Sequence, residues 1–183
     1  MRTLRAKQVI DAVATMCVDS NRYLPKDVRG RFAECAAREE SPAAREVFRQ
    51  LTENYELAEQ TGLPLCQDTG LAVFFVEMGE DVRVEGMNIR EAINEGVRKG
   101  YTEGYLRKSA CDPLTRANTK DNTPAIIHFD IVPGDRLKIA FMAKGGGSEN
   151  MSRVTMLAPA QGWDGIKNFV VNRVAEEIGR AHV

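Results

Sequence analysis

Cys66, Gln67 and Asp68 stand side by side in the stretch LPLCQDTG, residues 63–70, just ahead of the apolar run LAVFFV. A thiol, an amide and a carboxylate in successive positions admit two readings. The plain one is a turn, with Asp68 or Thr69 bonding local amides and Gly70 supplying an unusual backbone angle. The other is a thiolate metal ligand beside a polar amide and a carboxylate, which requires Cys66 to be accessible and further ligands to converge on it. Two more stretches could do chemistry. Lys144 runs into Gly145, Gly146 and Gly147, a segment able to turn several backbone N–H groups toward an anion with a lysine charge nearby. It is not a nucleotide-binding P-loop, because the spacing to a second Lys-Ser or Lys-Thr is missing. Tyr105-Leu106-Arg107-Lys108-Ser109 places basic residues where a helix ends, which suits the helix dipole and equally suits an arginine fork on a carboxylate. His128, flanked by strand residues, reads as structural.

The elements that must hold these groups follow from periodicity. Ile10, Val13, Ala14 and Cys17 share one helical face, as do Val28, Phe32, Cys35 and Ala36, so Cys17 and Cys35 are expected in the core. A third helix begins at Ser41-Pro42, carries Ala44, Val47, Phe48, Leu51, Tyr55 and Ala58 on one stripe, and stops at Gly62 and Pro64. Residues 71–76 read as a buried strand. Residues 88–106 read as a helix with Gly96, Gly100 and Gly104 on its apolar stripe. Each glycine costs roughly 1 kcal/mol relative to alanine, a cost that calls for a backbone passing close by. Residues 115–123 are a polar loop. AIIHFDIVPGDRLKIAFMA reads as two strands joined at Pro133-Gly134-Asp135 in a hairpin, and residues 165–176 as a last amphipathic helix. The expected fold class is α+β: N-terminal helices, then a mixed or antiparallel sheet packed with helices, in one domain.

The bulk numbers agree with one globular domain: 183 residues, 43% hydrophobic and 28% charged, with a formal net charge of −1. That balance offers no general attraction for nucleic acid or anionic lipid. No apolar run approaches membrane length and the start MRTLRAKQVI resembles no signal peptide, so a cytoplasmic location is expected. The four cysteines form no C-x-x-C pair, which argues against a zinc ribbon or redox dithiol. Residues 177–183, EIGRAHV, read codon for codon as a translation of a widely used short-read sequencing adapter. The expectation is a domain over residues 1–176, cut short at its C-terminus, followed by a foreign tail.

LPLCQDTG, GYLRKSACDPLTRANTKDNTPA and MAKGGGSENMS together resemble the signature segments of class I iron–sulfur fumarate hydratases. Specifically they are similar to the α subunit of the two-subunit form, equivalent to the N-terminal catalytic domain of the single-chain form. The resemblance implies a hydro-lyase interconverting L-malate and fumarate around a [4Fe–4S] cluster held by three cysteines, with one iron open to substrate. It implies that Cys66 is the first cluster ligand. It implies that Gln67, Asp68 and Arg107 contact the C4 dicarboxylate, with Asp68 and Arg107 catalytic, and that Gly145, Gly146 and Gly147 offer N–H groups. Arg107 and those amides would balance the substrate's negative charges, while Asp68 would orient Arg107 or the general base.

The same resemblance places two further cysteine ligands beyond this chain's end, since Cys17 and Cys35 lie on core faces and Cys111 matches no ligand position. It implies a β-subunit partner, a dimer of αβ units, and no activity for this piece alone. Two other readings compete. One is L(+)-tartrate dehydratase α subunit, the same chemistry on a dihydroxy acid; YLRKSA and AKGGGSEN favour the fumarate branch. The other is a non-catalytic dicarboxylate- or anion-binding domain using the glycine segment without iron.

Overall fold

The computed structural model describes residues 1–147 and 151–177, in two compact units that divide after Lys144. The first unit opens with a short strand, β1 (Arg2–Arg5), that the helical reading of the N-terminus missed. Helices α1 (Ala6–Arg22), α2 (Lys26–Arg38) and α3 (Pro42–Thr61) follow. The Ser41 hydroxyl caps α3 by accepting from the Ala44 N–H, and Gly62 ends it in the left-handed conformation at φ 71°, as the sequence predicts.

Strand β2 (Leu71–Gly79) runs three residues beyond the expected end, then β3 (Val82–Glu85) returns to pair in parallel with β1. Helix α4 (Ile89–Glu103) is capped by the Asn88 side chain, which accepts from the Glu91 N–H. It stops earlier than residue 106: Gly104 caps it and Tyr105 takes a positive φ of 54°. Arg107 therefore lies in the loop that follows rather than in the last helical turn.

Strands β4 (Ile126–Val132) and β5 (Leu137–Lys144) exist as expected but do not form a hairpin. β2 lies between them in the order β4-β2-β5, parallel to β4 and antiparallel to β5. The Pro133-Gly134-Asp135 turn passes over the end of β2 instead of joining neighbours. It holds that end through Gly79 N–H to the Arg136 carbonyl at 2.8 Å and Asp81 N–H to the Gly134 carbonyl at 3.0 Å. Turn chemistry predicts a reversal of direction; it does not tell whether another strand enters the gap. Helices plus a mixed sheet make the fold α+β, as the sequence implies.

The core forms where α1 and α4 cover one face of this sheet. Val13, Cys17, Phe74, Val76, Ile93, Val97, Tyr101 and Leu106 are all buried there, each large apolar side chain contributing about 1.5–3 kcal/mol. The glycine stripe explains how closely the helices pack. A Cβ on Gly96 would lie 2.8 Å from the Ile10 carbonyl oxygen, and one on Gly100 would lie 2.8 Å from that of Ala14. The opposite sheet face is exposed and carries Phe75, Met142 and His128, whose ring stacks on Phe75 at 4.9 Å.

Cys35 corrects its expectation: it is exposed, and α2 has no buried residue. Its helix packs on α3, through Phe32 against Phe48 and Tyr55. In the second unit a 3₁₀ turn (Pro159–Gln161) leads into α5 (Gly162–Glu177), whose Trp163, Ile166, Val170 and Val174 are exposed. The tail expected at residues 177–183 lies outside the described residues apart from Glu177, the last residue of α5. Among the described residues no helix is long and apolar enough to cross a membrane.

Candidate functional site

The segment carrying Cys66, Gln67 and Asp68 leaves α3 and is tied down before it reaches β2. Leu65 N–H donates to the Asn21 carbonyl at 2.8 Å, and the Asn54 amide donates to the Leu65 carbonyl at 2.9 Å. Cys66 and Gln67 project from this anchored stretch and are exposed, while Asp68 is half-buried. The turn itself is as local chemistry predicts: Asp68 N–H donates to Cys66 Sγ at 3.4 Å, Gly70 N–H donates to Asp68 Oδ1 at 3.2 Å, and Gly70 has φ 67°. The turn is thus formed, and its thiol is accessible, one of the two conditions that a metal-ligand role sets.

Thr69 and Gly70 are buried beneath this turn and join it to the loop that carries Arg107. The Thr69 hydroxyl donates to the Arg107 carbonyl at 2.8 Å. Asn122, 1% exposed, donates from Nδ2 to the Gly70 carbonyl at 3.1 Å. Its Oδ1 accepts from the N–H groups of Ser109 and Ala110 at 2.7 and 3.0 Å. The Tyr101 hydroxyl, at the buried end of α4, donates to the Thr69 carbonyl at 2.8 Å. Burial holds that phenol above its ordinary pKa, so it stays protonated and a donor.

The Arg107 loop is braced further along. Asn118 Nδ2 donates to the Lys108 carbonyl at 2.9 Å, Thr119 N–H to the Ala110 carbonyl at 3.0 Å, and Cys111 bridges to Asn118. Arg98 of α4 pairs with Asp121 at 3.0 Å. Burial works against the Asp121 carboxylate, but hydrogen bonds from Thr123 and the Arg98 charge outweigh it and lower the pKa. Arg107 is exposed, like Cys66 and Gln67, and its carbonyl is fixed by the bond from Thr69.

The structure therefore brings four sequence-predicted residues together on two loops of one unit: Cys66, Gln67, Asp68 and Arg107. Gly145, Gly146 and Gly147 open the second unit directly after β5, and nothing crowds Gly146 within 4 Å of where a Cβ would stand. Cys111 is half-buried and lies in the loop braced against Asn118. Sequence reasoning missed Thr69, Tyr101 and Asn122. Thr69 reads as a turn residue, Tyr101 as one more stripe position and Asn122 as part of a polar loop; only burial separates them from their neighbours.

Among the described residues no group of three His, Cys, Asp or Glu side chains gathers in a way that could hold a metal. Cys66 is exposed on an anchored turn beside an amide and a carboxylate, which fits one ligand of a shared centre and not a complete one.

The comparisons with known proteins agree across most of the chain. The model of the family described as Fumarate hydratase (Fumerase) matches residues 10–181. A protein of Methanocaldococcus jannaschii, provisionally named L(+)-tartrate dehydratase subunit alpha, is 38% identical over 179 residues, covering 94% of this chain and 63% of its own length. The anaerobic class I fumarate hydratase of Escherichia coli is 36% identical over 133 residues, 68% of this chain and 23% of that protein. The L(+)-tartrate dehydratase subunit alpha of the same organism is 25% identical over 172 residues, 92% of this chain and 56% of its own. The chain thus spans less than two thirds of the length of each of these relatives.

Proposed function

The chain belongs to the fumarate hydratase (Fumerase) family, and from that premise we propose that it is the catalytic α portion of an iron–sulfur hydro-lyase that interconverts L-malate and fumarate. The observation that carries the reading is the bond between the Thr69 hydroxyl and the Arg107 carbonyl, which sets an accessible thiol, an amide and a carboxylate beside a loop bearing an arginine. Those are the groups a dicarboxylate lyase needs: a soft metal ligand, hydrogen-bonding side chains and a planar cation for a carboxylate.

In this reading Cys66 supplies one thiolate to a [4Fe–4S] cluster completed by cysteines outside this chain. Held there, the cluster would supply Lewis-acid activation of the substrate hydroxyl. This chain's residues bind and orient. Arg107 takes a substrate carboxylate through paired N–H groups. Gln67 donates from its amide, and Asp68 fixes the orientation of Arg107 or of the proton-accepting group. Gly145, Gly146 and Gly147 offer backbone N–H groups to an anionic group. Relatives named as α subunits support a β-subunit partner; pairing of αβ units into a dimer is part of the same proposal.

A second substrate has its own support. The M. jannaschii relative, named for L(+)-tartrate, matches 94% of this chain, whereas the fumarate relative at 36% identity matches 68%. The two substrates differ by one hydroxyl, so the same site chemistry serves both. The deciding experiment offers L-malate and L(+)-tartrate to the purified complex of this subunit with its partner, reconstituted with iron and sulfide under anaerobic conditions. Faster turnover of malate upholds the first substrate and faster turnover of tartrate the second. Turnover of neither, with a cluster bound, overturns the hydro-lyase reading.

A further inference from the structure

Thr69 and Asn122 are both 1% exposed, sit in different loops, and spend their side-chain hydrogen bonds on backbone groups of the candidate site. Neither touches solvent, so neither is placed to contact a substrate. The Thr69 hydroxyl reaches Arg107, and the Asn122 amide spans from Gly70 to Ser109 and Ala110. The Thr69 bond crosses directly from the segment that carries Cys66, Gln67 and Asp68 to the loop that carries Arg107, and Asn122 ties Gly70 of the first to Ser109 and Ala110 of the second. Asn122 also adopts φ 64°, a backbone region that asparagine tolerates better than most residues. The position therefore selects for a residue that accepts two N–H groups, donates one, and accepts left-handed backbone.

We infer that Thr69 and Asn122 are positioning residues that lock the Cys66–Gln67–Asp68 turn and the Arg107 loop at one spacing, so that thiolate and guanidinium address one substrate together. The inference rests on the proposed hydro-lyase reading for its functional consequence, but the coupling itself is a property of this chain. Buried hydrogen bonds suit this task because losing one partner leaves the other unsatisfied, so each loop resists moving without the other. Tyr101 adds a third tie, from α4 to the Thr69 carbonyl.

The test compares wild type, Thr69→Val, Thr69→Ser and Asn122→Asp in the complete enzyme. Valine keeps the shape of threonine and removes the donor, serine keeps the donor, and aspartate keeps the acceptor and sets an oxygen against the Gly70 carbonyl. Two readouts are taken: steady-state kinetics, and hydrogen–deuterium exchange in peptides covering residues 65–70 and 106–111. Thr69→Val is expected to raise KM for the preferred substrate roughly tenfold or more through misplacement of Arg107, with exchange faster in both peptides. Thr69→Ser is expected to restore both. Asn122→Asp is expected to speed exchange in both peptides together. A role in stability alone would lower the yield of active enzyme at unchanged KM. Wild-type KM in Thr69→Val, or faster exchange in the mutated loop alone, overturns the inference. Should the wild type turn over no C4 hydroxy acid, the functional reading fails, and the exchange in the two peptides still decides the coupling.

Discussion

Cys66 and Cys17 carry the same functional group in opposite surroundings. Cys66 is exposed on a turn, whereas Cys17 is completely buried and burial pushes its thiol up to about 12. At pH 8 a group of that pKa is thiolate on the order of one part in ten thousand, and no reagent reaches it. Alkylation of the native protein followed by peptide mass spectrometry should therefore label Cys66 and Cys35 and leave Cys17 unmodified until denaturant is added. Labelled native Cys17 would contradict the core described here. Cys17 is legible in the sequence because its helix face meets two partners, α4 and the sheet. Cys35 was not, because helical spacing tells which residues share a face and not whether anything covers it. Cys66 lies in a loop as the sequence indicates. The residues that anchor that loop, Thr69 and Asn122, are of types that more often sit in open turns.

At the scale of elements, the α1–α4 contact is the clearest case of a pattern with a physical cause. Gly100 faces the Ala14 carbonyl and the Cys17 Cβ, at 2.8 and 2.9 Å from an added Cβ, and backbone cannot yield as a side chain tip does. Gly100→Ala should lower unfolding free energy by about 1–3 kcal/mol, measured by urea denaturation. Gly30→Ala in α2 is the control: nothing lies within 4 Å, and the change should stabilise by about 0.5–1 kcal/mol. The same two helices are clasped at the surface by Asp11, which pairs with Lys7 at 2.6 Å and Lys99 at 2.7 Å. Lys7 first, then Lys99, hold its carboxyl near 2, below the ordinary 3.8. A depressed carboxyl stabilises the fold above its unfolded value and loses that contribution as pH falls from about 3.8 toward 2. The gap in urea midpoint between wild type and Asp11→Asn should accordingly be open at pH 5 and narrow by pH 3. The effect is small, since both partners are solvated. A gap that widened toward acid would reverse the sign of this coupling.

For the whole molecule, the decisive feature is the strand order. Gly79 ends β2 under the turn that links β4 to β5, and a Cβ there would lie 2.3 Å from the Gly134 carbonyl oxygen and 2.9 Å from the Arg136 N. Both obstacles are backbone. Gly79→Ala should thus be among the most damaging single changes in the first unit, costing about 3 kcal/mol or more, while Gly134 itself has open space and is limited only by its φ of 105°. An alanine variant with wild-type stability would contradict the crossing. The α+β class, the helix over most of residues 88–106 and the strands on either side of Pro133 are legible from periodicity and turn residues. Strand order is not, because pairing between distant segments leaves no local pattern.

That order has a consequence during synthesis. β2 leaves the ribosome with neither neighbour made: residues 80–125 separate it from β4, and β5 is complete only at Lys144. At about 5–20 residues per second, the wait for both partners lasts on the order of seconds. Throughout it Phe74 and Val76 have only α1, and later α4, to cover them, and both edges of β2 stand open to any strand of another nascent chain. The helices made before the sheet thus act as its first escort, and the polysome is where this fold is most exposed to error.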